Sequence, residues 1–328
     1  VNEREMKKYL FIILFFLILF NFSCSEGKNE KYLPNSNGRL NTISIVMPNK
    51  SWEGTLGQMT TKLLTKPYEG LPLDEERYTL NYIPSKVFSG FVRSYRNIIL
   101  FKSDSIPNFR INKNQYAKGQ VVIEIAASSD NKKEHLLELN IKKIINSIDQ
   151  NETYEKLRRI KKSPNIDKSI KTRFGASLLF PSAYKLVKDT FNFTWFQKEI
   201  QKGHLNFIVY QISSSEFKGN IKNRLIQIRD SIGGIYLPGR LLNSHMITEK
   251  AYRPYFYKTQ ILNRKTYLTK GMWEVKNDFM AGPFVNYMIY DSIKKNWLVL
   301  EGFCFAPSVK KRDLMFELNT ILKSVEFK

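Results

Sequence analysis

Arg229 and Asp230, near the end of a predicted helix, and Glu274 and Asp278, in the stretch that holds Trp273, are the side chains whose types and spacing could do chemistry. Paired carboxylates beside an aromatic ring are what a glycan hydrolase uses, one as acid and the other as base or nucleophile. A structural duty fits the same residues. Arg229 and Asp230 can form ion pairs that fix a helix against the loop after it, and the flanking Gly233-Gly234 and Pro238-Gly239 favour that duty. These five residues are the candidate functional surface. Tyr252, Tyr255, Phe256 and Tyr257, crowded around Pro254, would make a patch for a glycan or protein partner if exposed.

Other chemistry is sparse. The sequence has no G-x-S-x-G elbow, no G-x-x-x-x-G-K-[ST] loop and no G-x-G-x-x-G. His135, His204 and His245 lack the spacing of metal ligands. Cys304 alternates along a strand with Gly302 and Leu300, which suits a small core residue better than a nucleophile. No catalytic residue, cofactor or metal is therefore assigned, and no enzyme is expected.

Cys24 is different. Lys7 and Lys8 precede an unbroken apolar run over residues 10–20. That run would span roughly 17 Å as a helix, short of a ~30 Å bilayer core, so it reads as an export segment. The sequence Asn21-Phe22-Ser23-Cys24 comes next and resembles a bacterial lipobox, with Asn21 where an aliphatic residue is usual, as in the looser lipoboxes of Bacteroidota. Residues 1–23 are then a signal peptide starting in effect at Met6, Cys24 the lipidated first residue, and residues 24–41 a polar tether. The outer membrane or cell envelope is the expected location.

The chain has 328 residues, 42% hydrophobic and 13% aromatic, enough for a large core. Lys and Arg number 52 against 30 Asp and Glu, a net charge of +22. Such an excess can attract anionic lipids or polymers. Here it is scattered along the chain and not gathered into a stripe, so no nucleic-acid partner is expected.

The periodicity predicts an α+β protein. Strands are expected at 42–47, 78–83, 96–102 and 119–127, with helices at 51–65 and 132–148 and a charged helix-plus-linker over 151–171. The second half reads as strands at 177–180, 193–197, 205–212, 256–268 and 272–276, with a helix at 217–232 stopped by Gly233-Gly234. The boundary falls at 163/164, giving α+β halves over 42–163 and 164–328. Val121 to Glu124 align with Leu298 to Glu301, and Leu137, Ile141, Ile144, Ile145 and Ile148 fall at the same offset on Leu314, Leu318, Ile321, Leu322 and Val325. Ser44 to Pro48 align with Ser177 to Pro181. An internal duplication is the expectation. The strand-to-final-helix ending resembles the Mog1/PsbP-like sandwich, an analogy of fold that carries no function.

Several short stretches carry a family resemblance. They include Trp52-Glu53-Gly54, Gly70-Leu71-Pro72, Arg96-Asn97-Ile98-Ile99, Arg229-Asp230-Ser231, Gly271-Met272-Trp273-Glu274-Val275, Phe279-Met280-Ala281-Gly282-Pro283-Phe284 and Glu301-Gly302-Phe303. The chain resembles, over nearly all of its mature length, domain of unknown function 4837, a family of Bacteroidota envelope lipoproteins. Ala281 stands where glycine is expected. The resemblance implies an envelope lipoprotein and supplies no activity. The expected role is a periplasm-facing binding or structural module held to the membrane by its N-terminal lipid, with an envelope protein or glycan as partner. The alternatives are a polysaccharide hydrolase using carboxylates near Trp273 and an anionic-polymer binder. Cys24→Ala should abolish metabolic incorporation of a fatty-acid analogue and release the protein from membranes. Equal labelling of mutant and wild type would contradict the lipid anchor.

Overall fold

Strands buried on both faces need apolar runs, and residues 98–101 and 121–123 supply them. The computed structural model describes Arg4, Met6, 32–216 and 220–327. Residues 35–328 form one compact unit, which holds both large sheets. The export segment and Cys24 lie outside the described residues. Among those described, no helix is long and apolar enough to cross a membrane.

The first half is a mixed sheet of β1 (Thr42–Met47), β2 (Thr79–Pro84), β3 (Asn97–Lys102), β4 (Asn108–Lys113) and β5 (Val121–Ala126) in the order β2-β1-β3-β5-β4. β2, β1, β3 and β5 are mutually parallel, and β4 runs antiparallel to β5. Ile43, Ile45, Ile99, Ile123 and Ile125 face a core shared with Leu56 and Leu64 of α2 (Thr55–Leu64) and with Leu137, Ile144 and Ile148 of α3 (Asp130–Ile160). Alternate residues, among them Val46, Ile98 and Val122, face a smaller cluster with Phe88. The helix expected at 51–65 is broken at Gly54 into α1 (Asn49–Glu53) and α2, with Ser51 buried inside the first.

After a short helix α4 (Ser169–Phe174), the second half is an antiparallel sheet in the order β10 (Met246–Thr248), β12, β13, β14, β9, β8 (Phe193–Ile200) and β7 (Lys185–Thr190), with β11 (Tyr255–Ile261) paired to β12. Its central strands are β9 (Gly203–Ser213), β12 (Arg264–Val275), β13 (Ala281–Asp291) and β14 (Asn296–Phe305). Leu298, Leu300 and Cys304 of β14 face the core beneath α6 (Arg312–Lys323), while Trp297, Val299 and Phe303 face the core beneath α5 (Ile221–Tyr236). Burial pushes the Cys304 thiol up to about 12. The strand expected at 256–268 is two, β11 (Tyr255–Ile261) and β12, reversed at Leu262-Asn263 with positive φ at both residues. That is the backbone of a two-residue hairpin turn, made without the glycine that usually marks it. Gly233-Gly234 do not stop α5. A side chain at Gly233 would meet the Met246 carbonyl oxygen at 2.0 Å, so that glycine lets the helix lie against β10 (Met246–Thr248).

The duplication extends no further than the closing strand and helix. Ile144 and Ile321, and Ile148 and Val325, are buried at equivalent places. The strand pairing differs: β5 lies between a parallel and an antiparallel neighbour, β14 between two antiparallel ones. β1 is central in its sheet, whereas its supposed counterpart is β6 (Ala176–Ser177), paired apart with β15 (Glu326–Phe327). Apolar alternation reports burial and says nothing of a neighbour's direction, so the two sheets look alike in sequence.

The charged stretch expected to open a linker is instead the continuation of α3, a helix of 31 residues and roughly 46 Å. Its early turns fill the first core, and Leu157 and Ile160 enter the second. Between them Glu152, 0% exposed, meets Arg96, 2% exposed, with Nε at 2.7 Å. The same carboxylate accepts from the Asn41 N–H at 2.7 Å and from the Asn97 amide. The halves are tied by Lys156 to Glu317 at 2.6 Å. Glu75 of the first half caps α6 of the second, accepting from the N–H groups of Lys311 and Arg312.

Glu152→Gln would put an amide where several donors converge and leave Arg96 buried without its counter-charge. Urea unfolding should show a loss of about 3–5 kcal/mol, while the paired change Arg96→Met with Glu152→Met should cost much less. A loss under about 1 kcal/mol for Glu152→Gln would mean that water reaches the pair. Cys304 should resist thiol reagents in the folded protein and react once it is unfolded.

Candidate junction site

Where the two halves meet, a cavity of about 110 Å³ opens between the loop after α2, α3, the β12–β13 hairpin and α6. Gly70 brings that loop onto the second sheet. Its φ is +88°, and a side chain there would meet Lys270 Cβ at 2.9 Å. Tyr68 and Glu69 are thereby placed on the cavity wall.

The charges around the cavity are paired with one exception. Asp149 of α3 accepts from the Arg77 guanidinium and from the Tyr78 hydroxyl. Burial and then the Asp149 charge push the Tyr78 phenol up. Glu69 accepts from Lys270 Nζ at 3.1 Å and the Tyr257 hydroxyl at 3.0 Å. Burial opposes ionisation of Glu69, but Lys270 and Tyr257 outweigh it and hold the carboxyl below its usual range. The Tyr257 phenol is pushed up to about 12 by desolvation and by Glu69. The Tyr287 hydroxyl donates to Asn319 at 2.6 Å.

Lys323, the last residue of α6, is the exception. No hydrogen bond or ion pair holds its Nζ among the described residues. The residue is exposed, yet desolvation by the surrounding wall lowers its ammonium pKa. Asp149 acts the other way, and Lys270 and Arg77 add to the lowering. An uncompensated cation beside Tyr68, Asn319 and Asn41 is suited to recognise a small anion.

The residues singled out from sequence lie elsewhere. Arg229 is buried, with Nε 3.0 Å from Glu301 Oε1, Nη1 2.8 Å from Thr248 Oγ1, and its guanidinium 3.9 Å over the Phe284 ring. Asp230 accepts from the N–H and the hydroxyl of Thr248, both at 2.7 Å. Together they clamp α5 to β10. Trp273 is core, packed edge-on to Phe303. Glu274 and Asp278 do not form a pair. The Glu274 carboxyl is raised by burial and then by a hydrogen bond with Glu249, and Asp278 is held low by Arg240, 2.7 Å away. Among the tyrosines around Pro254, Tyr255 is exposed and Tyr252 half-buried, and Tyr257 turns to Glu69. Among the described residues, no group of three or more His, Cys, Asp or Glu could hold a metal ion.

None of Lys323, Asp149, Arg77, Tyr68 or Lys270 stands out in sequence. The one available signal is Gly70-Leu71-Pro72, which marks the close approach of loop to sheet.

Comparisons place the two halves in different families. Residues 36–161 match a domain of unknown function, DUF8532, so the first-half stretches that resemble DUF4837 fall in another family's span. No curated protein matches the chain. Among solved structures, the Ran-binding protein Mog1p of Saccharomyces cerevisiae is similar at 9% identity and TM-score 0.32, covering 47% of this chain and 90% of its own. Cyanobacterial PsbP of Synechocystis is similar at 10% identity and TM-score 0.31, covering 47% and 87%. A Bacteroides thetaiotaomicron protein, at 11% identity and TM-score 0.26, covers 51% and 48%. Residues 163–324 match the domain of unknown function DUF4837, and the second half of the chain belongs to that family.

Proposed function

We propose that this protein is a binding module of the cell envelope, tethered through Cys24, whose junction cavity takes a small anionic group. The observation that carries this reading is the unpartnered Lys323 ammonium in a cavity whose other charges are paired. The cavity's 110 Å³ is the share of about four water molecules. That suits a phosphate or a carboxylate, not a whole sugar ring, so a larger envelope ligand would insert only its anionic end. A hydrolase built on carboxylates near Trp273 has less support: Glu274 and Glu249 hydrogen-bond each other directly, closer than the roughly 5 Å that a glycosidase pair keeps, Asp278 is held by Arg240, and the Trp273 ring is buried. A polymer binder needs a continuous basic track, and the basic residues are scattered.

Inorganic phosphate and acetate, titrated calorimetrically into the full chain in detergent, test the proposal. Binding should be weak, with Kd of order 0.1–10 mM, because the site offers few direct contacts. Lys323→Met should weaken it at least about tenfold while leaving Tm unchanged, since the side chain is exposed and holds no hydrogen bond or ion pair among the described residues. Affinity should fall as pH rises through the lowered Lys323 pKa, earlier than for an ordinary lysine, because the ammonium form is the one that binds. Equal binding by the variant, or a large fall in Tm with binding retained, would overturn the assignment.

A further inference from the structure

Two neighbouring turns project apolar side chains into solvent. The first joins α5 to β10 and carries Leu241 and Leu242, the second of them 92% exposed. The other joins β12 to β13 and carries Phe279, at 104% exposure, free of covering atoms. β10 pairs with the end of β12, so the turns lie side by side. Arg240 of one grips Asp278 of the other through both carboxylate oxygens, at 2.7 and 3.1 Å.

Several of their backbone donors are satisfied within the turns themselves. The Gly239 N–H donates to Ser244 O, Ser244 N–H to Leu241 O, and Leu241 N–H to Ser244 Oγ. In the second turn Val275 N–H donates to Met280 O, Asp278 N–H to Val275 O, and Phe279 N–H to its neighbour's carboxylate. Lys276 N–H crosses to His245 O and joins the turns. A loop with these donors already satisfied loses little on leaving water. Arg240 directly precedes Leu241 and Lys276 lies three residues before Phe279, within reach of a headgroup layer. The carboxylate within the turns, Asp278, is paired; Glu249 and Glu274 lie further back and hydrogen-bond each other.

We infer that this paired-turn tip is a membrane-docking wedge, inserting Leu241, Leu242 and Phe279 into the headgroup–acyl boundary of an anionic bilayer. A bilayer fits better than a protein partner because Leu242 and Phe279 stand almost wholly out in solvent and the charge of the turns left unpaired among the described residues, Lys276, is positive on a chain of net charge +22. The inference is independent of the junction cavity. It adds a second contact to the proposed lipid tether, and so would set which face of the body meets the membrane.

The test places an environment-sensitive fluorophore on Leu242→Cys in the full chain, reconstituted on vesicles of roughly one phosphatidylglycerol to three phosphatidylcholine molecules. Phe191→Cys, on an exposed turn elsewhere, is the control. The Leu242 probe should shift to the blue, be quenched by spin-labelled lipid, and lose at least about threefold of its quenching by aqueous iodide. The control should stay iodide-accessible. Adding Phe279→Ser should weaken the insertion by about tenfold. A Leu242 probe as iodide-accessible as the control, or one shielded only when a protein extract is added, would overturn the inference.

Discussion

A single carboxylate pins the long helix α3 to the first half just before the helix enters the second core. Glu152 stands on α3 where the helix leaves the first core and enters the second, out of contact with water. An ionised carboxylate there is tolerable only because Arg96 neutralises it and because Asn41 and Asn97 fill its remaining acceptor positions. Arg96 in turn donates to the carbonyls of Gly38 and Arg39, which fixes the chain's entry into β1. Buried pairs of this kind add little net stability, but their geometry admits few alternatives. The crossing point of α3 is therefore fixed, and the entry strand with it.

The rest of the junction depends on that crossing. With α3 running through both cores, Asp149 and Lys156 lie on the helix between them. Asp149 reaches back to Arg77 and Tyr78, and Lys156 reaches forward to Glu317 of α6. Glu75 caps the far end of α6, so each half completes a helix terminus or an ion pair of the other. The cavity is the space these polar contacts leave, and apolar packing alone would have closed it. Lys323 is then the one charge at the cavity with no ion-pair partner among the described residues. The second half repeats the device independently: Arg229, Glu301 and Asn286 form a buried set that clamps α5.

Much of the architecture is legible in the sequence, because strands such as β1, β3, β5 and β14 bury both faces and show it as apolar runs. The same patterns mislead where they are blind. They record burial and not the direction of a neighbouring strand, which makes a shared strand–helix ending look like a full duplication. The end of α3 reads as a linker because Glu152, Glu155 and Lys156 look like a solvated charged face. Only the partners they meet, Arg96, Arg158, Arg159 and Glu317, reveal that they are not. The candidate site is invisible for a related reason. Its residues come from four separated segments, and no local spacing connects Tyr68, Asp149, Lys270 and Lys323. Arg229 and Asp230 draw notice because they are adjacent, and adjacency here serves a clamp.

Through its passage across both cores, α3 makes one cooperative body of the two halves. Native-state hydrogen exchange of the amides over 137–160, followed through increasing denaturant, tests this most directly. Amides on both sides of Glu152 are expected to exchange only through the same global opening, with one shared free energy and one shared dependence on denaturant. Exchange of the last turns through a separate, smaller opening, with 137–148 still protected, would show that the halves are independent domains and that the junction is only a contact between them.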